Sequence, residues 1–149
     1  MKNIYVLINI LLFFSLLNCE DSTECGEDTE ITVKIDFKKY NNVNEDSLIN
    51  NLTVIGIDTP YLNNNNINSI NLSLSQTSDI SEFKFNVDTL VDTISFYSKR
   101  ELYLISYECG FATRYTLDSV ITHEKIINAV SIIESAVDST NETNIIFYF

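Results

Sequence analysis

Two different patterns of apolar residues divide the chain. Residues 4–17 form one apolar run, interrupted only by Asn9 and Ser15. From residue 31 onward apolar and polar positions alternate with period two, the signature of half-buried strands. Ile31, Val33, Ile35 and Phe37 alternate with Thr32, Lys34 and Asp36, which predicts a strand over 31–37. A polar loop is expected over 40–47, then a strand over 52–57. Pro60 and the asparagine run 63–66 predict a turn. Further strands are expected at 70–74 and 83–87. Residues 91–97 and 102–109 read as the two arms of a hairpin turning at Ser98-Lys99-Arg100-Glu101. A sixth strand is expected at 111–117, with Gly110 supplying a bend or bulge. Residues 126–134 suit either a helix or a strand. Asn128, the β-branched content and the surrounding strands favour strand. Residues 145–149 close the chain as a final strand.

Eight or so short strands separated by turns predict an all-β fold, an antiparallel β-sandwich. A small up-and-down or calycin-like β-barrel is the alternative. Composition points the same way. Tyr (8) and Phe (9) are frequent, Trp is absent, and Gly (3) and Pro (1) are scarce, which suits strands and excludes a flexible Gly- or Pro-rich chain.

The opening residues have the layout of an export signal. Met1-Lys2-Asn3 is a short positive segment ahead of the 14-residue apolar run, which is short for a membrane span. The run stops at Leu16-Leu17-Asn18-Cys19, which resembles a lipobox: Leu16 and Cys19 are in place, while Asn18 departs from the usual small residue. The expectation is a lipoprotein signal peptide over 1–18, lipidation of Cys19, an acidic tether over 19–30, and a single all-β domain over 31–149. An ordinary signal peptide with a coincidental Cys is the bland alternative. Two or more acyl chains hold a protein stably at a membrane where one chain binds only marginally. Glu20, Asp21, Glu24, Glu27, Asp28 and Glu30 follow Cys19. They read as a solvated tether, and they also look like the surface-export signal of Bacteroidota lipoproteins.

Charge narrows the partners. The formal net charge is −12, and removing a leader that holds one Lys and no acid takes it to −13. Such a field repels phosphate backbones, so no nucleic-acid partner is expected. The expected contacts are the membrane, through lipid on Cys19, and an envelope-protein partner.

With Cys19 lipidated, Cys25 and Cys109 remain. In the oxidising compartment of an exported protein they are expected to form a disulfide; two free thiols are the alternative. Closing an 84-residue separation would constrain the unfolded chain by about 4–5 kcal/mol on the chain-entropy model.

Candidate chemistry is sparse. His123 is the sole histidine, in Thr122-His123-Glu124-Lys125, and is read as an exposed loop residue without a general-base partner. Asp88 with Asp92, or Asp79 with Glu82, offers carboxylates for Ca²⁺, but no calcium-loop spacing is present and solvated surface charge is the simpler reading. No nucleophile elbow or phosphate loop occurs. The aromatic end at Phe149 is read as core packing, because the strands are short for a membrane barrel. No catalytic residue, metal or cofactor is expected.

Several pieces in order carry a family resemblance. They are Cys19, Cys25 in an acidic stretch, the 31–37 strand, Leu52-Thr53-Val54-Ile55-Gly56, the 70–74 strand and Phe83-Lys84-Phe85. Asp92-Thr93-Ile94-Ser95-Phe96, Glu108-Cys109-Gly110-Phe111 and Asn144-Ile145-Ile146-Phe147-Tyr148-Phe149 follow. Together the chain resembles the flavobacterial lipoproteins grouped as domain-of-unknown-function family 6452. The resemblance implies an envelope location and a Bacteroidota source, and no catalytic residues. The functional expectation is a lipid-anchored, non-enzymatic binding or accessory module of the outer membrane, facing the periplasm or the outside. A lipocalin-like carrier of a small apolar ligand is the alternative, and a hydrolase with an unrecognised carboxylate site a third reading.

Overall fold

The computed structural model describes residues 31–56, 60–64, 66–107, 109–123, 126–138 and 142–149; for 60–64 it describes the backbone alone. Among these residues there are eleven strands and no helix. In chain order they are β1 (Thr32–Lys39), β2 (Asn42–Asp46), β3 (Leu52–Ile55), β4 (Pro60–Asn64), β5 (Ser69–Ser73) and β6 (Ile80–Val87). Then come β7 (Leu90–Ser106), β8 (Gly110–Thr122), β9 (Ala129–Ile132), β10 (Ala136–Val137) and β11 (Ile145–Tyr148).

They form two sheets. In the first, β9 pairs β11 and β11 pairs β1, whose other edge takes β5 along its first half and β2 at its end. The second runs β10-β8-β7-β6-β3-β4, antiparallel throughout. The sheets stack face to face and do not close, so the fold is the expected β-sandwich; the barrel alternative is not adopted.

Alternation explains the core. Val33, Ile35 and Phe37 on β1 are fully buried between half-exposed neighbours, and Phe83 and Phe85 do the same on β6. Across the interior, Phe147 of β11 meets Phe85 of β6 at 5.8 Å and Phe96 of β7 at 6.4 Å between ring centres. These rings knit the first sheet to the second, edge or tilted onto face as aromatic quadrupoles prefer. β1 and β11 run parallel, with Ile35 opposite Ile145 and Phe37 opposite Phe147. The first and last strands of the described chain are therefore neighbours within one sheet.

Several expectations change. The 40–47 loop contains β2, whose residues are all exposed. The 60–66 turn contains β4. Both are edge strands held by backbone pairing, which needs no apolar alternation; Pro60 stands first in its strand, where a missing N–H is tolerated. The hairpin turn at 98–101 is absent. β7 continues through these polar residues to Ser106, which pairs with Gly110, and Tyr107 and Cys109 lie in the turn instead. Lys99, Arg100 and Glu101 are accommodated because each has an ionic partner: Asp118, Asp79 and Arg114. The 126–134 segment resolves as strand in β9. Gly110 has φ +75°, a left-handed conformation suited to glycine, and the β7–β8 register shifts opposite it. That is the bend expected there.

Candidate functional site

The carboxylates weighed for a cation do not converge on one. Asp92 is 1 % exposed rather than solvated. Its Oδ1 accepts the backbone N–H of His123 at 3.0 Å, and its Oδ2 that of Ile126 at 3.2 Å. It thus organises the β8–β9 connection from within β7, which corrects its reading as surface charge. Asp88 lies in the β6–β7 turn with φ 52° and accepts Asn51 Nδ2 at 2.9 Å; Asn51 is itself at φ 53°. Asp79 accepts Arg100 Nε at 2.6 Å, and Glu82 accepts the Ser95 hydroxyl at 3.3 Å. No group of three or more metal-ligating side chains occurs among the described residues.

His123 is exposed, as expected, just after β8. Its Nδ1 stands 2.9 Å from the Thr93 carbonyl oxygen. The imidazole thus shares the β7 end of the loop that Asp92 caps.

A shallow depression of about 220 Å³ lies on the outer face of the second sheet, lined by Ile55, Gly56, Glu82, Phe83, Lys84 and Thr93. It is open to solvent and flanked by one acid and one base. The closed apolar barrel interior that a lipocalin-type carrier needs is not the architecture of the described chain.

The most distinctive surface is the end of the β7–β8 hairpin. β6 accompanies β7 only as far as the pairing of Ile80 with Tyr97. Beyond it, residues 98–106 pair with β8 alone, and β10 touches β8 only at Tyr115 and Thr116. A two-stranded arm of about 15 Å therefore runs past the neighbouring described strands from residue 102 onward, at roughly 3.3 Å per residue. The register places Leu102, Leu104, Phe111 and Thr113 on the face that carries Tyr115 and Leu117 into the core. Past the sandwich that face meets no other described strand: Leu102 is 65 %, Phe111 64 % and Leu104 44 % exposed. Tyr107, in the turn, is 98 % exposed. The opposite face is mixed: Arg114 binds Glu101 at 2.9 Å with its guanidinium 5.7 Å from the Tyr103 ring centre, while Tyr103 packs half-buried against the core and its cross-strand neighbour Ala112 is buried.

Cys109 sits in the arm's turn, where its backbone N–H donates to Ser106 Oγ at 2.9 Å. Cys19 and Cys25, and with them the leader and the tether, lie outside the described residues.

Sequence reasoning missed Asn144. It is buried between the sheets, accepting the Lys34 N–H of β1 at 3.0 Å and donating to the Ala136 carbonyl of β10 at 2.8 Å. It is the last of the seven polar residues 138–144 ahead of the final apolar strand, and nothing in that run sets it apart.

The class defined by these features is an all-β sandwich with a projecting apolar-faced arm. The chain belongs to the family of unknown function DUF6452, whose sequence profile matches residues 43–149. The match takes in the arm and the last strand but begins after β1. No curated protein and no solved structure matches the chain.

Proposed function

We propose that the protein is a lipid-anchored domain of the bacterial outer membrane, acting as a non-enzymatic binding or accessory module in a Bacteroidota cell envelope. The observation that carries this is the 14-residue apolar run that stops at Leu16-Leu17-Asn18-Cys19, where a thioether-linked diacylglycerol would attach to Cys19 Sγ and cleavage would make it the first residue. The carboxylates weighed as a cation site each have a structural partner. That leaves the exposed arm, rather than a polar cleft, as the surface suited to binding. A disulfide between Cys25 and Cys109 is part of the reading, and the oxidising compartment of an exported protein supports it. The acidic residues after Cys19 fit display on the outer surface.

Metabolic labelling with radioactive palmitate tests the anchor. Expressed in a lipoprotein-processing bacterium, the wild-type chain is expected to take up label and enter the detergent phase; Cys19→Ser is expected to do neither. Equal labelling of the two would overturn the reading. Crosslinking in intact envelopes tests the accessory role, which a strictly solitary protein would contradict.

A further inference from the structure

We propose that the tip of the β7–β8 arm lies in the interface of the bilayer that holds the lipid anchor, with Tyr107, Leu104, Leu102 and Phe111 as its membrane contacts. This rests on the lipidation of Cys19 and the pairing of Cys25 with Cys109 proposed above.

Three observations choose a lipid surface as the occupant of this face. The first is tethering. Cys109 is in the arm's turn, two residues from Tyr107 and two from Phe111. Cys25 stands six residue steps after Cys19. Fully extended they span about 20 Å, so a disulfide to Cys109 holds the tip within that reach of the acyl chains. No other part of the domain is bound so closely to the anchor.

The second is composition. The tip exposes two aromatic and two aliphatic side chains, and Tyr107 presents a ring with a hydroxyl end. Amphipathic aromatics of this kind concentrate at membrane–water interfaces. The third is shape. The exposed strip is one face of a two-stranded ribbon whose other face carries the charged pair Glu101 and Arg114 beside half-buried Tyr103 and buried Ala112. A ribbon lying flat can sink the first face into the headgroup region while Glu101 and Arg114 stay in water. The acidic charge of the chain, −12 overall, opposes anionic lipid, so the contact is with apolar and zwitterionic interface.

The chain contains no tryptophan, so a single introduced one reports its own position. The full chain is expressed in a lipoprotein-processing host as Tyr107→Trp or as Leu90→Trp. Leu90 is also exposed, but stands at the opposite end of β7. Each mature protein is reconstituted into phosphatidylcholine vesicles containing lipid brominated near the glycerol end of the acyl chains. Mass spectrometry of the same sample reads the state of Cys19. With Cys19 acylated, the Tyr107→Trp indole is expected to show blue-shifted emission and severalfold stronger bromine quenching than the Leu90→Trp indole. Acylated Cys19 with equal, weak quenching of both overturns the inference and leaves the anchor standing. Blue-shifted but unquenched emission also overturns it, because protein then covers the face. An unacylated Cys19 overturns both readings.

Discussion

The side-chain oxygen of Asn144 accepts the backbone N–H of Lys34 at 3.0 Å, while the Asn144 backbone N–H donates to the Lys34 carbonyl, also at 3.0 Å. One residue thus extends the β1–β11 ladder by a step, and its amide nitrogen reaches the Ala136 carbonyl of the opposite sheet. Asn144→Ala removes the donor and acceptor together and leaves the Lys34 N–H and the Ala136 carbonyl without them. The expected cost is about 2–3 kcal/mol, from one lost bond plus the desolvation of stranded groups. Urea denaturation followed by tyrosine fluorescence measures it; an unchanged midpoint contradicts the role.

Phe147 is the ring on which the two sheets meet, touching Phe37 within its own sheet and Phe85 and Phe96 across the core. Truncation to Ala leaves a cavity among fully buried neighbours, so Phe147→Ala is expected to cost about 3–5 kcal/mol. Phe111→Ala, on the exposed arm, is expected to change stability by less than about 0.5 kcal/mol. The contrast between the two in one denaturation series separates the core from the arm.

The outermost strand of the first sheet is held partly by charge. Lys38 donates to Asp46 at 2.5 Å, and Lys39 pairs with Glu45. The Lys38 hydrogen bond holds the Asp46 carboxyl below its usual value, with a smaller contribution from Asn68; Lys39 does the same for Glu45. Carboxyl groups lowered in the folded state stabilise it above their unfolded values, and that contribution disappears as pH falls through the folded ones. NMR titration of the carboxyl carbons should give lower midpoints for Glu45 and Asp46 in the native chain than in urea. Equal midpoints would mean that the two pairs are not formed in solution. The Asp46 hydrogen bond likewise raises the Lys38 ammonium, so its share persists at neutral pH and is lost only on strong alkalinisation.

Tyr115 gives the alkaline side a second component. Burial pushes its hydroxyl up from 10, Arg100 pulling weakly the other way, and the hydroxyl donates to the Leu74 carbonyl at 3.3 Å. A group raised in the folded state stabilises it fully below the unfolded value, and that stability is lost as pH rises through the folded one. Tyr115→Phe is expected to lose about 0.5–1.5 kcal/mol at neutral pH with the hydrogen bond. It should also narrow the stability gap to wild type above pH 10. A constant gap across that range would contradict the assignment.

Strands that bury one face were legible because burial forces alternation. Residues 31–37, 70–74, 83–87 and 145–149 all fall within or overlap strands. β2 (Asn-Val-Asn-Glu-Asp) and β4 (Pro-Tyr-Leu-Asn-Asn) were not, since an edge strand is made by backbone pairing and imposes no pattern on side chains. The polar run at Ser98–Glu101 misled for a related reason. Ser98 is buried and Lys99, Arg100 and Glu101 each hold an ion pair, so a polar run that continues a strand looks in sequence like one that turns. Asp92 looked like surface charge because its partners are backbone N–H groups of a loop about thirty residues away. The arm was visible only as the apolar run 102–105 followed by Tyr107 and Phe111; its exposure depends on where β6 and β10 stop, which no local pattern encodes.

The account turns on Cys19, and intact mass analysis of the protein purified from membranes tests it most directly. The predicted result is a mature chain beginning at Cys19, heavier by its acyl groups, with Cys25 and Cys109 joined in one non-reduced peptide pair. A chain whose Cys19 carries an unmodified thiol, or whose first residue lies elsewhere, would contradict the anchor and remove the reason for pairing the other two cysteines.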